Sequence, residues 1–285
     1  MTRAGDRSQR MLVQALWLMA PTTTIVVGAE LIVVGLLPLI AQDLGIPLAQ
    51  GGNWRMPFMV LAVASLLLAP VIALLFPKVP KADALGLAGQ LRLLRQPLFL
   101  AHLALSVAVF SSMFSAYTYL GAWVERTFGL SPSSVAFTLF LFGVAGLLGN
   151  SLAGRYADRA VLRSTAVAII VLVAGVNLAA LAGGSMAMAA VPMFLWSVSQ
   201  TALVTLGQVR VTLAGKPAPP FAMTMNISAA NLGIALGTLG GGGVIDRFQV
   251  GAIGLAPIGF AIVALPLLVL VGRGVAPSFQ TPQRR

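Results

Sequence analysis

Between its charged residues this chain runs neutral for stretches that no water-soluble core can absorb. Cutting at every Asp, Glu, Lys and Arg leaves 11–42 (broken only by Glu30), 56–77, 96–124, 127–154, 164–209, 217–245 and 248–272. A bilayer core about 30 Å thick takes roughly 20 helical residues, so each run is long enough to cross it. The run 164–209 is too long for one crossing, and "AGGSM" at 182–186 supplies a turn near its middle. The pattern predicts eight membrane helices, at about 13–37, 56–77, 98–122, 134–154, 164–182, 186–207, 220–243 and 250–272. Composition agrees: the chain is 58% hydrophobic and 9% charged, where soluble domains are about 45–50% apolar and about 25% charged. The predicted fold class is an all-α integral membrane protein.

The net charge of +11 invites a nucleic-acid partner, which the positions of the charges contradict. With the N-terminus placed in the cytoplasm, fifteen of the eighteen basic residues fall in cytoplasmic segments, and only Arg55, Arg126 and Arg247 lie outside. Arg210, just beyond the sixth span, counts among the fifteen. This positive-inside bias explains the basic balance without a polyanion and puts both termini in the cytoplasm. A cleaved signal peptide fits poorly, since the first apolar run is about twice the usual length and lacks an A-x-A site. Residues 1–77 hold the first two spans, and 78–96 form a cytoplasmic connector. Residues 97–273 hold six spans, and 274–285 form a cytoplasmic tail. Within the connector Ala84, Leu87, Leu91 and Leu94 make a helical stripe suited to the inner membrane surface or to an ordered linker.

Few polar groups lie inside the spans, and each has two readings. Glu30 is the one acidic residue within a span. Desolvation favours the neutral form of such a carboxyl. Either it carries a coupling proton or binds a cationic substrate, or it is permanently protonated and bonded to a neighbouring helix. Tyr117 and Tyr119 in the third span, with Trp196 and Gln200 in the sixth, suit an amphipathic ligand or plain packing. Trp123 falls near an interface, where indole is favoured. Asn226 and Asn231 suit bonds between helices. His102 reads as a satisfied structural histidine or as a proton relay. Gly233, Gly237 and Gly240 form a stripe that lets helix backbones approach closely.

Enzyme chemistry has little to work with. One His, no Cys and a single acid within the spans leave no metal site, aspartyl pair or nucleophile triad. Neither "GRYADR" nor "LGGGGVID" has the pattern of a phosphate-binding loop. No cofactor and no metal are expected.

Between the fourth and fifth spans stands "GNSLAGRYADRAVLRS". Gly154 permits a tight turn, Asp158 can cap the next helix, and Arg159 and Arg163 suit the anionic inner leaflet. The arrangement resembles the G-x-x-x-D-R-x-x-x-R loop of the major facilitator superfamily, in the copy between that family's eighth and ninth helices. "FSAYTYLGAWVERTFGLSPSSVAFTLFLFGVAGLLGN" resembles the seventh and eighth helices of its drug:proton antiporter and sugar-efflux branch. "NISAANLGIALGTLGGGGVID" resembles the eleventh helix, and "GAELIVVGLLPLIAQDLGI" the first, with Ala29 and Leu31 in place of the usual Thr and Phe beside Glu30.

The family has twelve spans in two halves. Here "NWRMPFMVLAVASLLLAPVIALLFP", which resembles the sixth helix, follows directly on the first, so the second to fifth helices are missing, and with them the antiport signature of the fifth. The resemblance implies a shortened major facilitator-like bundle in the bacterial inner membrane. Its partners would be a small organic substrate (drug, sugar or metabolite) and protons, with efflux the implied direction. The first, seventh and tenth family helices line a central cavity, and these are the first, third and sixth spans here. The alternative is an internally deleted member of the family that does not transport. The sequence leaves the oligomeric state open between monomer and homodimer.

Overall fold

In a computed structural model the chain forms two compact units, residues 1–83 and 84–285. The structure describes residues 62, 63, 66, 67, 70, 74 and 86–275. Glu30, the first predicted span and the tail from 276 lie outside them. In the first unit the described residues are helical and fall in the second predicted span, and Val63, Leu66, Leu67 and Leu74 are exposed.

The second unit is all-helical over its described residues. Its elements are α1 (Leu87–Leu93), α2 (Pro97–Tyr117), α3 (Leu120–Phe128), α4 (Pro132–Ala180), α5 (Met186–Ala214), α6 (Pro219–Phe248), a 3-10 turn (Val250–Ala252) and α7 (Leu255–Val275). Six stretches are long and apolar enough to cross a membrane: Pro97–Phe128, Pro132–Ala157, Arg159–Ala180, Met186–Ala214, Pro219–Phe248 and Val250–Gly274. They coincide with the last six of the eight predicted spans. The "AGGSM" turn is there, with Gly183 at φ 59° and Gly184 at φ 84°, a region closed to most L side chains.

One local expectation needs correcting. Gly154 does not turn the chain out of the membrane. The helix runs through it, and the break comes at Ala160 (φ −158°, ψ 52°), which divides α4 into two membrane-length segments. Connector helix α1 buries Leu93 against Phe99, Val211, Ala218 and Ala222 and leaves Leu91 of the predicted stripe exposed. Leu94 of the same stripe packs against this cluster.

Helices α2 and α6 meet backbone to backbone. A Cβ on Gly233 would lie 2.5 Å from the Val107 carbonyl oxygen, one on Gly237 2.5 Å from that of Ser111, and one on Gly241 2.0 Å from that of Ser115. The three are four residues apart and share a helix face. Gly240, which the sequence reading placed on this stripe, faces the Phe260 ring instead. Ser111 Oγ donates to the Gly233 carbonyl at 3.0 Å and Ser112 Oγ to that of Pro257 at 2.9 Å, the latter joining α2 to α7. Between α4 and α5, Ser197 Oγ donates to the Phe142 carbonyl. Farther along the same seam Thr201 Oγ1 donates to that of Gly146 at 2.5 Å, and Thr205 Oγ1 to Asn150 Oδ1 at 2.7 Å. Such side-chain bonds keep polar groups satisfied where lipid offers none.

Because the spans alternate in direction, charge segregates. Arg92, Arg95, Arg155, Arg159, Arg163, Lys216 and Arg273 lie at one end, while Glu125, Arg126, Asp246 and Arg247 lie at the other. The basic end is where α1, the start of α2, the end of α5 and the start of α6 converge.

Candidate functional site

Aromatic side chains from four helices form a connected cluster inside the second unit. Trp196 on α5 meets the edge of Phe142 on α4, with centroids 5.4 Å apart. Phe142 tilts against Tyr117 on α2 at 5.9 Å, and Trp196 meets Trp123 on α3 at 6.4 Å. Phe114 and Phe128 extend the cluster at 5.5 Å from Tyr117 and 5.3 Å from Trp123. Edge-to-face pairs of this kind favour a fixed ring arrangement. Both indoles are fully buried, so Trp123 is a core residue rather than an interfacial one.

Burial leaves several polar atoms of the cluster without partners. Trp123 Nε1, Trp196 Nε1 and Gln200 Oε1 find no hydrogen bond among the described residues. Gln200 lies one turn beyond Trp196 on the same face of α5 and is itself buried. An unmade buried bond is costly, about 1–3 kcal/mol per group. Two donors and an acceptor thus stay unpaired beside aromatic faces among the described residues.

Of the four sequence-predicted cavity residues, the fold brings Tyr117, Trp196 and Gln200 to this region and takes Tyr119 elsewhere. Tyr119 caps the start of α3 and its hydroxyl donates to the Thr238 carbonyl on α6 at 2.8 Å. Thr118 beside it bonds Thr238 Oγ1 at 3.1 Å. Tyr119→Phe should lower stability only slightly, since interhelical bonds in membranes average about 0.6 kcal/mol. A thermal-unfolding midpoint in detergent shifted by a few degrees is the expected reading; a collapse of the fold would contradict it.

At the basic end a second polar group sits where apolar packing was expected. Arg210, placed by the sequence beyond the sixth span, lies within α5 and is 1% exposed. Its Nη1 donates to the His102 carbonyl at 2.8 Å and approaches His102 Nδ1 at 3.2 Å, and its Nη2 donates to Ser106 Oγ at 2.7 Å. Ser106 Oγ in turn donates to Asn226 Oδ1 at 2.7 Å. One network thus ties α2, α5 and α6. Asn226 joins it, whereas Asn231 is exposed. The legible signal for Arg210 was its register, since Leu203, Leu206, Gly207 and Arg210 share one face of α5.

In the loop motif, Gly154, Arg159 and Arg163 are exposed and the Asp158 backbone is helical. Among the described residues no three side chains of metal-binding type come together.

Known proteins place this architecture. A family model described as Major Facilitator Superfamily matches residues 6–218. A probable sugar efflux transporter of Pasteurella multocida (strain Pm70) is 28% identical over 84% of this chain and 61% of its own length. One of Helicobacter pylori (strain G27) is 31% identical over 83% of this chain and, again, 61% of its own length. The chain thus spans about three fifths of the length of these relatives. Among solved structures, a bacterial homologue of the human lysosomal transporter Spinster, inward-facing and unoccupied, superposes with a TM-score of 0.52 at 16% identity. It covers 90% of this chain and 66% of the other.

Proposed function

The chain belongs to the Major Facilitator Superfamily, and on that footing we propose that it is a secondary transporter exporting small hydroxylated organic molecules, sugars foremost, in exchange for protons. The observation that carries this reading is the aromatic cluster around Trp196 with its unpartnered buried N–H and C=O groups. Ring faces take up the apolar face of a sugar, and Trp196 Nε1 and Gln200 Oε1 meet its hydroxyls. The sugar-efflux names of two relatives support the substrate class.

In this reading the chain crosses the bacterial inner membrane eight times with both termini inside, and its basic end faces the cytoplasm. Residues 1–77 act as the counterpart of the six-helix half 97–273, across the connector 78–96. Glu30 takes and releases the coupling proton. The bend at Ala160, beside Asp158 and Arg159, lets the two segments of α4 change their mutual angle during the cycle.

Transport by the reconstituted chain tests the proposal. Proteoliposomes carrying a pH gradient should move radiolabelled pentose or hexose, and collapse of the gradient should stop the movement. Trp196→Phe makes the sharper arm. It keeps a ring in place and deletes a donor that has no partner among the described residues, so the thermal midpoint should hold or rise. Half-saturation for sugar should nonetheless weaken about tenfold, the equivalent of ~1.4 kcal/mol. Liposomes in which neither form moves sugar would support a member of the family that does not transport.

A further inference from the structure

We infer that His102 and Arg210 form a protonation-controlled latch fastening α2, α5 and α6 at the basic end of the bundle. This inference concerns the second unit alone and stands whether or not the chain transports.

The geometry fixes the ring's protonation state. Arg210 has donors only, so at 3.2 Å His102 Nδ1 must present its lone pair, and the ring proton sits on Nε2. The same Nη1 holds the His102 carbonyl, and Nη2 holds Ser106 Oγ, which reaches Asn226 on α6. The guanidinium is therefore the hub on which three helix ends converge. Its Nε is buried without a partner. No carboxylate among the described residues neutralises it, and the acceptors that hold it there are neutral.

A proton on Nδ1 undoes the arrangement. It replaces the acceptor with a donor pointing at a donor, and it sets a second positive charge beside the first where little water screens them. Latched geometry and a charged ring exclude each other, so acidification shifts the population towards a released form. An exposed histidine changes charge at about pH 5–8; here the proton must be driven on against burial and a neighbouring cation, so release calls for stronger acid. No other titratable group among the described residues competes for the role. Among the described residues Arg210 is the charged side chain beside His102, Ser106 and Asn226 do not titrate, and Arg92, Arg95, Lys216 and Arg273 at the same end are exposed.

The chain contains no cysteine, so spin labels can be placed without background. Leu100 near the start of α2 and Pro217 after the end of α5 are both exposed. With Leu100→Cys and Pro217→Cys labelled in the full chain in nanodiscs, electron–electron distances are read at about pH 8 and about pH 3.5, on either side of the range in which a buried imidazole beside a cation takes up a proton. A single narrow distance at the higher pH, joined reversibly by a longer one at the lower, is expected. In His102→Asn, which keeps an acceptor and takes up no proton in this range, the narrow distance should persist at both. A long-distance population that still grows on acidification of His102→Asn overturns the latch. Should that variant fail to fold, His102→Gln takes its place. If neither folds, the native pair decides alone, an unchanged distribution at the two pH values refuting the inference.

Discussion

Gly237→Val is expected to yield no monodisperse protein from detergent extracts, or protein with a steeply lowered unfolding midpoint. The first atom of any side chain at this position would stand 2.5 Å from the Ser111 carbonyl oxygen, inside van der Waals contact. Overpacking a core typically costs about 1–3 kcal/mol, and relief usually comes from a flexible side chain moving aside. Here the obstacle is backbone, flanked by equally close approaches at Gly233 and Gly241. The loss should reach or pass the upper end of that range, a large share of a total stability of about 5–15 kcal/mol. Gly259→Ala supplies the control. Gly259 lies on α7 with nothing within 4 Å of an added Cβ, and Ala is the better helix former by about 1 kcal/mol. A Gly237→Val protein as stable as this control would mean that α2 and α6 are not in backbone contact.

Glu30→Gln should abolish transport driven by a pH gradient while leaving the chain inserted and folded. The amide has the size and hydrogen-bonding reach of the protonated acid and cannot release a proton. If Glu30 carries the coupling ion, net accumulation against the sugar gradient falls to background. Exchange of labelled for unlabelled sugar at equal concentrations, which needs no net proton movement, should survive. Accumulation at the native rate would instead identify a carboxyl that stays protonated and bonds a neighbouring helix. The arithmetic of membranes favours a role, since an acid at the centre of a span costs about 2.5–3.5 kcal/mol on insertion scales.

The six spans of the second unit were legible because charge marks their ends. In lipid a charged side chain is expelled to the surface, and "AGGSM" announces itself through residues that tolerate positive φ. The same logic misplaced Arg210. Hydropathy treats any charge as a boundary, yet a guanidinium stays inside when distant helices supply acceptors, and His102, Ser106 and Asn226 are remote in sequence. Trp123 went astray for a related reason, since nothing local distinguishes an indole at an interface from one packed under a neighbouring helix. Four consecutive glycines at 240–243 offer no register of their own, so Gly241 could not be told from Gly240 until α2 was set against it. Tyr117 and Tyr119 part ways as side chains two residues apart on a helix do, and the helix is moreover interrupted between α2 and α3. Linear spacing carries a side chain's direction only while the helix lasts.

The glycine seam also bears on mechanics. With no side-chain layer between them to shear, α2 and α6 form one stiff plank, and Ser111 stitches them where they touch. Any rocking of this half must therefore carry the two together. Flexure is left to α4, whose ladder is already interrupted at Ala160, and to the latch at the basic rim, which must give way before the plank can tilt against α5.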